Sequence, residues 1–515
     1  MKYDVVIAGG GTAGAVLAAR LSEDPARAVL LLEAGPDYAG IDALPPKIRD
    51  GYTTAADITP SDHDWGYSGR ATPLAGPLGV PRGKLTGGSS AVNGQIFLRG
   101  IPEDFDAWAA PGNPAWSFQR VLPFFKRLER DLDFRTDYHG AQGPIPVRRF
   151  SRAEWLPPQV AFHSACLDAG FADCPDLNSP TAEGVGPVPL NNYHGVRWGT
   201  NLGYLDPARH RLNLTVRAHC TVQRVLFQGR RATGLLVSSG PERYTVQADQ
   251  VILCAGAIGS PHLLLLSGIG PAAQLEAQGL PVQADLPGVG RNLRDHPHLF
   301  ATWRPAFGYP MHPQLPRYQT ALRYTAPGSG LRNDVQILMV SYATGRVDRG
   351  GDGRTPVGVT LLPVLNLARG AGSLVLRSPD AGVQPELDFN LLAEAEDRAR
   401  LRDALRLCVR LAGHPAFGDI LGQRLAPADA LLEDDAALDA WMLREVTHTH
   451  HCAGTCKMGP ASDPLAVVDQ EGRVHGLQGL WVADASIMPD CVRANTNATV
   501  MMIGERIADL LLHPA

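Results

Sequence analysis

The stretch that decides the fold is Lys2-Tyr3-Asp4-Val5-Val6-Ile7-Ala8-Gly9-Gly10-Gly11-Thr12-Ala13-Gly14. Residues 2–8 are a short apolar run of strand type. Gly9, Gly11 and Gly14 follow in G-x-G-x-x-G spacing, and small and aliphatic residues recur at helical spacing through residue 21. In such a unit the first glycine permits a tight turn, the second lets a pyrophosphate approach the backbone, and the third lets the helix pack close to the strand. The helix N-terminus adds free N–H groups and a partial positive charge. Residues 28–32 read as a second buried strand ending at Glu33, placed where an acidic side chain accepts from ribose hydroxyls. The expected dinucleotide contacts are Gly9, Gly11, Thr12, Ala13, Gly14, Glu33 and Ala34. The motif alone serves FAD and NAD equally.

Outward from that unit, the 515-residue chain is long enough for two domains and a large core. Its 44% hydrophobic and 19% charged content fits a globular protein. A net charge of -5 and the lack of basic runs argue against a nucleic-acid or acidic-membrane partner. The first strand begins at once, which leaves no room for a signal peptide, and the apolar runs are too short to span a bilayer. A cytoplasmic location without membrane attachment is therefore expected. The eight cysteines are scattered and suggest no disulfide framework. His448, His450, His451, Cys452 and Cys456 resemble metal ligands, but no Cys-x-x-Cys pair accompanies them, so no metal site is expected.

A second glycine-rich loop spans residues 81–94, with Arg82, Lys84, Gly87, Gly88, Ser89, Ser90, Asn93 and Gly94. Its backbone N–H groups suit a phosphate or an electron-rich ring edge. Together with the N-terminal unit it resembles the glucose-methanol-choline (GMC) flavin oxidoreductases, whose pattern carries Gly-Gly-Ser-Ser and then an Asn that approaches the flavin. Members that hold flavin covalently have a His directly before that Asn. Val92 stands there, so the resemblance implies a non-covalent FAD.

Residues 250–257 form the other sharp signal: an apolar strand runs into Ala255-Gly256-Ala257 and continues through Ser260, Pro261, Ser267, Gly268 and Gly270, matching the family's second signature. Residues 212–216, 221–227 and 233–237 alternate as strands and are expected to form a small antiparallel meander. By resemblance, the backbone of Val222 would meet the adenine edge. Residues 103–128 and 159–170 read as helices, and His139 as structural. In residues 287–297, His296 is read as anchoring a turn rather than as chemical. Residues 301–440 carry strands without intervening crossover helices, followed by a charged amphipathic helix over 393–411; this implies an antiparallel sheet. The expected fold is mixed α/β: a Rossmann-like FAD-binding domain with an inserted meander (1–150, 195–300 and 441–515), plus a substrate domain with an antiparallel sheet flanked by helices (151–194 and 301–440).

The strongest chemical candidate is Thr449-His450-His451-Cys452-Ala453-Gly454-Thr455. In the family a His four residues before Thr pairs with a His or Asn near the closing helix; His451 and Asn495 hold those positions. By the same resemblance Asp484 would reach the ribityl–phosphate arm, Ala485 would also contact the cofactor, and Asn497 and Thr499 would line the ring. A neutral imidazole can remove a hydroxyl proton while hydride leaves the same carbon. His450 and Cys452 stand where the family often has an aromatic residue and Pro, and His450 is a candidate substrate contact. The implied activity is oxidation of a primary or secondary alcohol, with electrons passed to oxygen or a quinone-like acceptor. The alternative is a non-redox enzyme on the same fold, such as a hydroxynitrile lyase or photodecarboxylase. No quaternary-ammonium cage of aromatics and carboxylates is legible, and the alcohol remains open.

Overall fold

The computed structural model describes residues 2–51, 62–312, 314–344 and 356–513. Residues 52–61 lie outside that description.

Strand β1 (Lys2–Ala8), helix α1 (Thr12–Leu21) and strand β2 (Val29–Leu32) form the expected βαβ unit. Val5, Val6 and Ile7 of β1 and Val29 to Leu31 of β2 are fully buried, as parallel strands covered on both faces are. The sheet continues with β3 (Leu214–Arg217), β4 (Thr221–Gln228), β5 (Arg231–Ser239) and the long β6 (Glu242–Leu253), which runs into helix α2 (Gly256–Leu266). The first half of β6 pairs antiparallel with β5, and its second half pairs parallel with β1. One strand thus joins the meander to the nucleotide-binding core.

One sequence expectation is corrected. Residues 212–216 do not belong to the meander: β3 pairs in parallel with β2 at the far edge of the sheet. Only β4, β5 and β6 form the antiparallel unit. Alternation identifies a strand but not its partner.

The second sheet is antiparallel. Its strands are β7 (Pro297–His298), β8 (Ala301–Pro305), β9 (Tyr318–Tyr324), β10 (Val335–Thr344), β11 (Pro356–Leu365), β12 (Leu421–Ala426) and β13 (Thr447–His448). The order is β12-β8-β11-β10-β9, with Gly184–Pro187 beyond β9; β7 pairs with both β11 and β13. Helix Ala395–Ala412 packs its buried Leu401, Leu405 and Cys408 against this domain's core. The chain then returns to the first sheet through β14 (Leu480–Val482), parallel to β6, and ends in α3 (Asn497–Leu512). At Gly504 of α3 an added Cβ would stand 2.9 Å from Val16 Cβ, so a small residue lets α3 cross α1 closely. Among the described residues no helix is long and apolar enough to cross a membrane.

His139 sits in a buried ion-pair network, with more partners than the sequence indicates. Its Nδ1 lies 3.1 Å from Glu129 and 3.0 Å from Asp131, and its Nε2 lies 2.9 Å from Asp176. Arg149 bonds Asp131 and Asp176, and Arg99 pairs with Glu129. Three carboxylates thus face the imidazole and two guanidiniums flank them, with Arg149 also reaching Asp133 at 3.4 Å. Burial opposes a charged ring, but the three carboxylates outweigh it and push the imidazole up to about 10. Because the folded value is raised, the stabilisation is complete below the ordinary value of 6.5 and is lost as pH rises toward 10. His139→Ala leaves buried charge unpaired and is expected to cost about 3–5 kcal/mol in urea unfolding at pH 6, and less at pH 10.

Candidate active site

A cavity of about 950 Å³ lies between the two sheets. One half is built from the glycine-rich turns. At Gly9, with φ +108°, an added Cβ would fall 2.5 Å from the Cys254 carbonyl oxygen, so the turn abuts the end of β6. At Gly14 an added Cβ would fall 1.9 Å from the Gly9 carbonyl oxygen, the close helix–strand packing expected of the third glycine. Gly11 differs: the nearest protein atom to such a Cβ is 3.8 Å away, and the residue lines the cavity. The second glycine loop lies against the first, with the Gly87 amide donating to the Gly10 carbonyl at 2.8 Å.

Glu33 lines the same half. Its two carboxylate oxygens accept from the Gly10 and Gly35 amides, each at 2.9 Å. Burial pushes the carboxyl up to about 7, against those donors. Asp484 accepts from the Gly256 amide at 2.8 Å, from Ser260 Oγ at 2.5 Å and from the Ser486 amide at 2.8 Å. It holds the turn after β6, and burial pushes its carboxyl up as well.

Of the residues singled out from the sequence, Gly9, Gly11, Thr12, Ala13, Glu33, Ala34, Arg82, Gly88, Ser89, Asn93, Gly94, Val222, Ala255, Gly256, Asp484, Ala485, His450, His451, Asn495 and Asn497 all line this cavity. Gly14, Gly87 and Thr499 do not: Gly14 and Gly87 shape the turns behind the wall, and Thr499 is fully buried in α3. The fit to a flavin dinucleotide rests on three features. Among the described residues nothing fills the room for a methyl group at Gly11 and the buried Asn497 Nδ2 on the wall has no partner, and two glycine turns abut.

The chemical centre is His451. Its Nε2 lies 3.2 Å from Asn495 Nδ2, as the 44-residue spacing anticipates. Its Nδ1 lies 2.7 Å from Thr449 Oγ1 and 2.9 Å from His296 Nδ1. With the Asn495 amide donating, Nε2 carries the lone pair and Nδ1 carries the proton. Thr449 Oγ1 can accept that proton's hydrogen bond and donate its own to Asp295 Oδ1 at 3.2 Å. Burial, followed by the neighbouring His296, holds His451 well below the usual imidazole range, so the base is neutral.

Two residues here have more partners than the sequence reading assigns them. His296 does not merely anchor its turn: its ring packs edge-to-face on His451 with centroids 5.0 Å apart. Asp295 organises the whole segment. It accepts from the amides of His296 (2.8 Å) and His451 (3.0 Å) and from Cys452 Sγ (3.3 Å), and lies 3.1 Å from His448 Nδ1. Burial raises its carboxyl, but His448, His451 and Arg82 outweigh that and hold it well below the usual range. The residue pair Asp-His at 295–296 was the available signal; nothing local tells which segment it meets. Asp295, His448 and Cys452 place possible ligand atoms within 4.8 Å of one another. Arg82 donates to the same thiol and to the His450 carbonyl, so a fixed positive charge stands beside that cluster. Asp295→Ala removes the shared acceptor; it is expected to cost about 3–5 kcal/mol in chemical unfolding, an effect that fades as acid protonates the wild-type carboxylate.

A family model described as GMC oxidoreductase matches residues 3–298 in its N-terminal part and 368–504 in its C-terminal part. A 5-(hydroxymethyl)furfural oxidase of Methylovorus sp. is 37% identical, across 100% of this chain and 99% of its own. An oxygen-dependent choline dehydrogenase of Sinorhizobium medicae is 34% identical, across 99% and 96%. Among solved structures, pyridoxine 4-oxidase from Mesorbium loti superposes with a TM-score of 0.92 at 31% identity, covering 100% of both chains.

Proposed function

The chain belongs to the GMC oxidoreductase family, and from that premise we propose that it oxidises a primary or secondary alcohol to the carbonyl, with His451 as general base and Asn495 orienting the carbinol oxygen. The observation that carries the reading is the 3.2 Å contact between His451 Nε2 and Asn495 Nδ2 on the wall of the cavity that the glycine turns line. A carbinol oxygen entering there exchanges one long contact for two, one to each nitrogen. Nε2 takes the hydroxyl proton, and the Asn495 amide holds the oxygen without competing for that proton. Thr449 and Asp295, behind Nδ1, keep the imidazole oriented and favour the cation that forms.

The cofactor this reading requires is FAD, held without a covalent bond; when bound, it accepts the hydride from the carbinol carbon. Residues 9–14 and the start of α1 would cradle its pyrophosphate, Glu33 its ribose and the Val222 backbone its adenine. The loop around Gly88, Ser89 and Asn93, with Asp484, Ala485 and Asn497, would hold its remaining parts. Val92 on the cavity wall offers no nucleophile, which supports non-covalent attachment. Residues 1–150, 195–300 and 441–515 serve as the FAD-binding domain, and 151–194 and 301–440 as the substrate domain. Oxygen or a quinone-like compound takes the electrons.

A panel of alcohols mixed anaerobically with the FAD-loaded protein tests the reading. We expect loss of the oxidised flavin absorbance with at least one alcohol, restored on admitting air if oxygen is the acceptor. A flavin that dithionite bleaches but no alcohol does would overturn the assignment and favour non-redox chemistry.

A further inference from the structure

The cavity half opposite the glycine turns is walled by the antiparallel sheet. His298 of β7 pairs with Val364 of β11, and Val364 pairs with Gln336 of β10. The three stand in one row across three strands, spanning about 10 Å at a strand spacing of about 4.8 Å. All three line the cavity, as does Asn366, two residues beyond Val364.

This wall holds polar atoms that the described residues leave unsatisfied. His298 is 6% exposed and Asn366 1%, yet among the described residues His298 Nδ1 and Asn366 Nδ2 have no hydrogen-bond partner. His450 Nδ1, on the same cavity, is a third. His450 also adopts φ +67°, a left-handed conformation that is uncommon for a residue with a side chain. An unpaired buried nitrogen costs about 1–3 kcal/mol, so a ligand that pairs these atoms recovers that cost. The Asn366 amide nitrogen can only donate, which calls for an acceptor on the ligand.

The charge on the wall is equally specific. Among the described lining residues the only carboxylates are Glu33 and Asp484, and both already accept from amides in the other half. The sheet presents a neutral imidazole instead, since burial pushes His298 down to about 3. A cationic headgroup would lose its water here without gaining a counter-charge.

Resting on the alcohol-oxidation reading, we propose that the substrate is an uncharged alcohol whose body carries a second hydrogen-bond acceptor, a carbonyl oxygen or heteroaromatic ring atom, seated against Asn366 and His298. Quaternary-ammonium alcohols are rejected. The FAD-loaded enzyme is tested without oxygen on two matched pairs. Choline and 3,3-dimethylbutan-1-ol differ in charge, while benzyl alcohol and 4-(hydroxymethyl)benzaldehyde differ in the second acceptor. The neutral isostere should exceed choline in flavin reduction by at least about 100-fold, and the aldehyde alcohol should exceed benzyl alcohol by about 10-fold. His298→Glu should narrow the first gap and Asn366→Leu the second. Choline matching its isostere, or equal rates within the second pair, overturns the proposal; these wild-type comparisons stand even if a variant fails to fold. Affinity is also read without turnover, by perturbation of the flavin absorption band on titration with terephthalaldehyde and with tetramethylammonium. The dialdehyde should bind more tightly, and the reverse order overturns the proposal. If no alcohol reduces the flavin, the oxidation reading fails, while this titration still decides the binding preference.

Discussion

His451→Ala is expected to retain FAD and to reduce it with alcohol about 10²–10⁴-fold more slowly than the parent protein, the range that a positioned general base contributes. Nε2 is the imidazole nitrogen that faces Asn495. His296 touches His451, but it meets the other nitrogen, Nδ1, so it stands behind the base rather than beside the carbinol. Anaerobic stopped-flow absorbance reads the effect, with the melting temperature of the variant as a check on folding. The pH dependence carries a second signature. A base must be unprotonated to act, and burial together with His296 holds His451 well below the ordinary imidazole value of 6.5. The rate should therefore persist as pH falls through 6.5 and decline only at a lower pH. Parental bleaching in the alanine variant would remove His451 from the chemistry; an acid limb at the ordinary value would leave it in place but contradict its burial.

What the sequence discloses and what it hides divide along a physical line. The N-terminal strand, turn and helix are legible because each glycine answers a local steric demand: Gly9 takes a positive φ, and Gly14 has no room for a side chain. His451 and Asn495 are legible through their resemblance to a family pattern, and they do meet. Asp295 is hidden, since its importance comes from meeting a segment some 150 residues later in the chain, as the sequence separations of its bonds to Thr449 and Cys452 show. His139 offers no sequence hint of its three carboxylates because two of them, Asp131 and Asp176, lie on different segments brought together only by folding. The pairing of β3 with β2 is hidden for the same reason: strand periodicity specifies faces, not neighbours. The substrate wall follows suit. His298, Val364 and Gln336 form a row only once three strands are in register.

The contrast between Gly11→Ala and Gly14→Ala separates a glycine kept for a ligand from one kept for the fold. Both sit in one motif, and a sequence comparison treats them alike. At Gly14 the new methyl would lie 1.9 Å from the Gly9 carbonyl oxygen and 3.2 Å from Cys254 Cβ, so α1 must move off the sheet. Overpacking of that kind costs about 1–3 kcal/mol or more, and the displaced turn should lose FAD as well. At Gly11 the backbone is at φ -76° and ψ -159°, which any residue adopts, and the methyl meets no protein atom within 3.4 Å; its nearest neighbour, Gly88 Cα, is 3.8 Å away. The cofactor-free Gly11→Ala protein should therefore unfold within about 0.5 kcal/mol of the parent, the range of substitutions that disturb no packing. Its methyl projects toward the cavity that Gly11 lines. A pyrophosphate drawn against the backbone there would be pushed away, and FAD affinity should fall by at least about 100-fold, or roughly 2.7 kcal/mol. The stabilisation that a ligand near 1,000 times its Kd confers, about 4 kcal/mol, should shrink accordingly. Fluorescence titration of FAD into each stripped variant, paired with thermal unfolding with and without FAD, reads both quantities. Undiminished FAD binding by Gly11→Ala would mean that the phosphates lie elsewhere in the cavity, and the placement of the whole cofactor along the glycine turns would have to be redrawn.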